Sequence, residues 1–163
     1  MDIFTVSLFG HRQIEDLRWL EARLISVVKD IMRAKPYVSF LLGRNGEFDE
    51  FAASVIKIAQ REIGKEKSDI TLVLPYRVKD LEHYEKYYDN VIVPEVVDGA
   101  HYKSAITLKN QWMVEQADLV IVYVAREEGG AARALKYAQK RNKPFFNLCA
   151  EEPFSLARRE EKL

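Results

Sequence analysis

Residues 117–138, ADLVIVYVAREEGGAARALKYA, decide the fold. Residues 119–124 form an apolar run rich in β-branched side chains, the pattern of a strand buried on both faces. Residues 126–130 are polar and close on Gly129-Gly130. From 131 to 141 the chain has good helix formers, with Leu135 and Ala138 on one side and Arg133, Lys136 and Lys140 on the other. A strand, a glycine turn and a helix in succession let backbone approach a phosphate and aim free amide N–H groups at it. Gly10 and Gly43 end apolar runs in a similar way. The three turns are therefore expected to line one crevice for a nucleotide-like ligand.

Working outward, strands are predicted at 3–9, 37–42, 70–74 and 144–148, with a short extended piece at 91–93 before Pro94. Between them, 15–35 reads as an amphipathic helix with Leu17, Leu20, Leu24 and Ile31 inward, ended by Pro36. A second helix is predicted over 49–63, capped by Gly64. A short helix is expected around Leu81, Tyr84, Tyr87 and Tyr88, and another at 104–116 with Ile106, Trp112 and Met113 inward. Strands alternating with helices predict a Rossmann-like three-layer α/β/α fold around a mainly parallel sheet of five strands or slightly more. Right-handed crossovers give the order 3-2-1-4-5, counting the five main strands along the chain. Ligands of such sheets sit beyond the carboxyl ends of the strands, where the order reverses.

The 163 residues suit one domain, 1–150, followed by a polar tail, 151–163. Lys and Arg balance Asp and Glu at 25 each, which argues against a broad nucleic-acid or anionic-membrane surface but leaves room for a local basic pocket. Cys149 is the only cysteine, so no intrachain disulfide can form and a cytoplasmic setting fits. The N-terminus lacks the basic start and apolar core of a secretory signal, and no apolar run approaches a membrane span.

The candidate site residues fall in four clusters. Gly129-Gly130 opens a helix as a phosphate cradle or as a tight turn. Glu127 and Glu128 suit a helix N-terminus but repel phosphate, and Arg126 and Arg133 lie near enough to compensate. Gly10-His11-Arg12 places a cation able to grip phosphate beside a histidine that binds, caps or acts as a general acid. In Gly43-Arg44-Asn45-Gly46-Glu47-Phe48-Asp49, the glycines permit close approach, Arg44 faces phosphate, and Glu47 or Asp49 accepts from ribose hydroxyls. The plainer role of Asp49 is to cap the second helix. Asn110 is the fourth candidate. Asp118, at the far end of its strand, reads as a structural turn residue. The tyrosines of the short helix stack a base, enter the core or join copies in a homo-oligomer. His11, His83 and His101 lack metal-ligand spacing, so no metal is expected.

FGHR at the first strand, LLGRNGEFD at the second, and KNQWMVEQADLVIVYV with GGAARALKYAQKRNKPFFNL near the end resemble the YpsA-like branch of the SLOG superfamily. The resemblance covers most of the chain and is weakest over 77–100. It implies a Rossmann-like fold, a nucleotide or ADP-ribose-like ligand and no required cofactor. Its ligand-associated positions match Gly10, His11 and Arg12, then Gly43, Arg44 and Glu47, then Asn110, Gly129 and Gly130. The superfamily also holds LOG-type phosphoribohydrolases, whose Arg-Lys-x-x-Met helix precedes Pro-Gly-Gly-x-Gly-Thr and a glutamate pair. Here Lys109 and Asn110 replace the arginine and lysine, and Leu135 and Lys136 occupy the glutamate positions. N-glycosidic cleavage needs a carboxylate beside the sugar. The expectation is therefore a sensor or sequestering module. The alternatives are a nucleoside-monophosphate N-glycosidase using Glu47 or Glu128, and an interaction protein with a vestigial pocket.

Overall fold

The computed structural model describes residues 2–156, so residues 157–163 of the expected tail lie outside the described residues. Six strands form one sheet: β1 (Ile3–Gly10), β2 (Tyr37–Leu42), β3 (Ser68–Val73), β4 (Asn90–Ile92), β5 (Leu119–Tyr123) and β6 (Phe145–Asn147). Every pairing is parallel and the order is β4-β3-β2-β1-β5-β6. The predicted five-strand order is found within it. The extended piece before Pro94 is the sixth strand, joining the edge through Thr71, Leu72 and Val73.

Helices cover both faces: α1 (Leu17–Ala34), α2 (Glu47–Ile63), α3 (Leu81–Tyr87), α4 (Tyr102–Gln116) and α5 (Gly130–Lys140). The period of two along each strand divides the core. Leu119, Ile121 and Tyr123 of β5 join Val6, Leu8 and Phe40 under α1 and α2. Val120 and Val122 point the other way, to Met113 of α4 and Ala131, Ala134 and Ala138 of α5. Each fully buried aliphatic side chain here contributes on the order of 1.5–3 kcal/mol. Asp118 is structural, as expected: its carboxylate accepts from the Thr5 amide at 2.8 Å and ties the start of β5 to β1.

Several local expectations are corrected. The first helix starts at Leu17, because Asp16 caps it by accepting from the Trp19 amide at 3.1 Å. That cap leaves Leu17 in the outermost turn, 46% exposed, while Leu20, Leu24 and Ile31 are buried. The second helix starts at Glu47 with Gly46 as its cap, so Asp49 is the third helical residue. The tyrosines of α3 separate: Tyr88 enters the core, Tyr87 is exposed, and Tyr84 meets Arg44. In the described part of the tail, Phe154 packs edge-on against Phe146. Among the described residues no helix is long and apolar enough to cross a membrane.

Candidate functional site

The chain runs outward from β1 through β2 and β3 to β4, then returns to place β5 on the other side of β1. The order reverses between β1 and β5, where a crevice at the carboxyl ends is expected. A cleft of about 520 Å³ lies there. The turn after β1 contributes Gly10, His11 and Arg12, and the turn after β2 contributes Gly43 and Asn45. The segment after β5 supplies Arg126, Glu128, Gly129 and Gly130, while α4 forms a wall with Lys103, Lys109 and Asn110. A site of this volume suits a nucleotide-sized molecule. Five cationic side chains line the cleft (Arg12, Lys103, Lys109, Arg126, Arg133) against two carboxylates, Asp49 and Glu128. A chain of zero formal charge thus concentrates positive charge in one place.

Gly129 and Gly130, at the start of α5, are exposed. Gly129 caps the helix at φ 97°, a left-handed conformation that favours glycine. No side chain of the described residues caps the first turn, so the amides that α-helix geometry leaves without intrahelical acceptors face outward. A Cβ on Gly129 or Gly130 would meet no heavy atom within 4 Å. The helix dipole adds partial positive charge at this end.

His11 holds the loop leading to that helix. Its Nε2 accepts from the amides of Ala125 at 2.9 Å and Arg126 at 3.1 Å, and its ring lies edge-on to Tyr123. Burial, then the Arg126 charge, lowers its pKa, so the neutral ring that accepts these bonds is favoured. The histidine joins the turn after β1 to the turn after β5, and Nε2 is already engaged there.

The floor contains a pairing absent from the sequence reading, in which Asp49 is a ribose acceptor or a helix cap and Lys109 only a departure from the LOG pattern. Lys109 is 1% exposed and Asp49 is 6% exposed. One Asp49 oxygen accepts from the Asn45 amide at 2.6 Å, and the Lys109 ammonium attracts the carboxylate. Burial pushes the Lys109 pKa down to about 8 against the attraction of Asp49, and burial raises the Asp49 pKa against its backbone hydrogen bonds and the Lys109 charge. Gly43 makes the room: its Cβ would stand 2.7 Å from Lys109 Nζ. A lysine in mid-helix reads as solvated. The available signal was its spacing, four residues from both Ala105 and Met113, which are buried on the same stripe.

Two sequence candidates are turned elsewhere. Arg44 donates to the Tyr84 hydroxyl at 2.7 Å and lies over that ring, so it does not line the cleft. Glu47 accepts from the Ile14 amide at 3.3 Å and also lies off the cleft wall. Gly10, His11, Arg12, Gly43, Asn110, Gly129 and Gly130 are brought together, with Glu128 at the rim. Among the described residues no group of three or more His, Cys, Asp or Glu side chains converges as a metal site.

No protein-family model matches the sequence, and no curated protein is similar to it in sequence. Solved structures do share its fold. DNA processing protein A of Helicobacter pylori, described for its single-stranded DNA binding mode, aligns with a TM-score of 0.62 at 16% identity, over 88% of this chain and 64% of that one. DprA of Streptococcus pneumoniae aligns with a TM-score of 0.66 at 15% identity, over 94% and 52%. The chain therefore spans between about half and two thirds of the length of these DprA chains. The molybdenum cofactor binding protein of Rippkaea orientalis aligns with a TM-score of 0.57 at 20% identity, over 89% and 76%. These likenesses establish a Rossmann-like three-layer fold.

Proposed function

We propose that this cleft binds a nucleotide or ADP-ribose-like small molecule through its phosphate, and that the chain senses or sequesters that ligand as a member of the YpsA-like branch. One observation carries the reading. The first turn of α5 has no side-chain cap, its two glycines face no atoms, and cationic side chains share its cleft. An anion is the partner such an arrangement stabilises. Amides near Gly129 and Gly130 hold the phosphate, and Arg12 and Arg126 balance its charge. Neighbours described as binding single-stranded DNA or the molybdenum cofactor give the fold a precedent for ligand binding. The test is thermal unfolding with a panel of mononucleotides and dinucleotides at millimolar concentration. A binder present at a hundredfold excess over its Kd stabilises by about 3 kcal/mol. No shift with any member of the panel would leave the reading without support.

The enzymatic alternative now rests on Glu128, which lines the cleft, rather than on Glu47. As a nucleoside-monophosphate N-glycosidase the protein would release free base, and Glu128→Gln would abolish that release. Chromatography of wild-type incubations without free base argues for the binding module.

A further inference from the structure

Above Gly43, three polar atoms surround one point. A Cβ built on that glycine would lie 2.7 Å from Lys109 Nζ and 3.6 Å from both Asn45 Nδ2 and Asp49 Oδ2. Two of these atoms donate and one accepts when the pair is ionised. Asn110 Oδ1, on the same cleft, is buried with no hydrogen-bond partner among the described residues. An unsatisfied buried polar atom is costly, and one in the cleft wall beside this cluster points to a group supplied by a ligand.

The mixture of donors and acceptors narrows the chemistry. A second anion placed here meets the Asp49 carboxylate, and a cation meets the Lys109 amine. With the proton on either partner, the Lys109–Asp49 pair is net neutral. Hydroxyl groups satisfy both kinds of atom, because each accepts one hydrogen bond and donates another. An apolar group satisfies neither. We propose that Lys109, Asp49, Asn45 and Asn110 form a subsite for a vicinal diol, the ribose hydroxyls of the ligand whose phosphate the α5 start holds. This assignment rests on the phosphate-binding reading above and adds sugar specificity to it. One hydroxyl accepts from Lys109 and donates to Asp49, while the other donates to Asn110.

The experiment is calorimetric titration of the wild-type chain with ribonucleoside 5′-monophosphates, their 2′-deoxy and 3′-deoxy counterparts, and inorganic pyrophosphate. Removing either hydroxyl is expected to weaken binding, the one held by Lys109 and Asp49 by about tenfold or more, the usual consequence of losing a hydrogen bond to a charged group, and the one on Asn110 by about fivefold. Asp49→Asn is expected to reduce the first ratio towards one. Gly43→Ala, which keeps both charges but puts a methyl group in the subsite, should do the same. Deoxynucleotides binding within about twofold of their parents would overturn the diol subsite while leaving phosphate binding intact. Pyrophosphate binding with no nucleotide bound would overturn it equally. Failure of every probe, pyrophosphate included, would remove the phosphate reading and this one with it.

Discussion

Two helices begin at the same cleft after glycine turns, and they differ in what meets their first amides. At α2 the chain supplies its own acceptors: the Glu47 amide donates to the Arg12 carbonyl at 2.9 Å, and the Asp49 carboxylate folds back onto the Asn45 amide just ahead of the cap, with Lys109 from α4 near it. At α5 the third helical position is Ala132, and no side chain of the described residues caps the turn. Both helix starts carry the same partial positive charge. One has it compensated from within, and the other presents it to the cleft. A glycine turn ahead of a helix therefore does not by itself make an anion site. At α2 the Arg12 carbonyl and the carboxylate three positions into the helix occupy that place first.

The comparison breaks most visibly at Asp49. Asp49→Ala removes the counter-charge of a buried lysine and the acceptor of the Asn45 amide. It should cost about 3–5 kcal/mol in urea unfolding. A loss below about 1 kcal/mol would mean that the α2 start is not internally compensated.

Alkaline pH tests the same pair from its other member. Unfolded, Lys109 keeps its proton to about 10.4; folded, it loses it near 8. Between those values the unfolded chain binds more protons, so folded stability rises with pH there. Relative to Lys109→Met, the wild-type chain should gain up to about 3 kcal/mol between pH 8 and 10.5. Urea midpoints measured for both proteins across that range check it, and a flat difference would contradict it.

Ala132→Asp copies the α2 arrangement into α5. The nucleotide-induced stabilisation of about 3 kcal/mol at hundredfold excess should vanish, because the new carboxylate competes for the same amides. Retained stabilisation in a thermal-shift assay would show that the anion binds elsewhere.

The smallest effect belongs to Arg44. Its guanidinium is committed to Tyr84, on the outer side of the turn. Arg44→Ala should cost about 0.5 kcal/mol and leave nucleotide affinity within about twofold. A tenfold loss would bring Arg44 back to the ligand.

Much of this was legible along the chain. Residues 119–124 announced the central strand, and Gly129-Gly130 the uncapped helix, because both features are local: one needs side chains that tolerate burial, the other a left-handed turn. Arg44 and Glu47 were not legible in the same way. Arginine and glutamate beside glycines suit a ligand equally well in any turn, and their directions depend on Tyr84 and Ile14, which lie 40 and 33 residues away in the chain.

The amino-acid order alone determined the layering of the protein. Strands apolar on both faces and amphipathic helices bury their apolar surfaces together as a parallel sheet covered on both sides, and that sheet reverses its order beside β1. Only the folded molecule decided which charges serve the cleft. The place of Lys109 against Gly43, the return of Asp49 to its own helix start and the departure of Arg44 depend on contacts between distant segments. Electrostatic and hydrogen-bonding partners are chosen by distance in space, which neighbouring residues in a sequence do not specify.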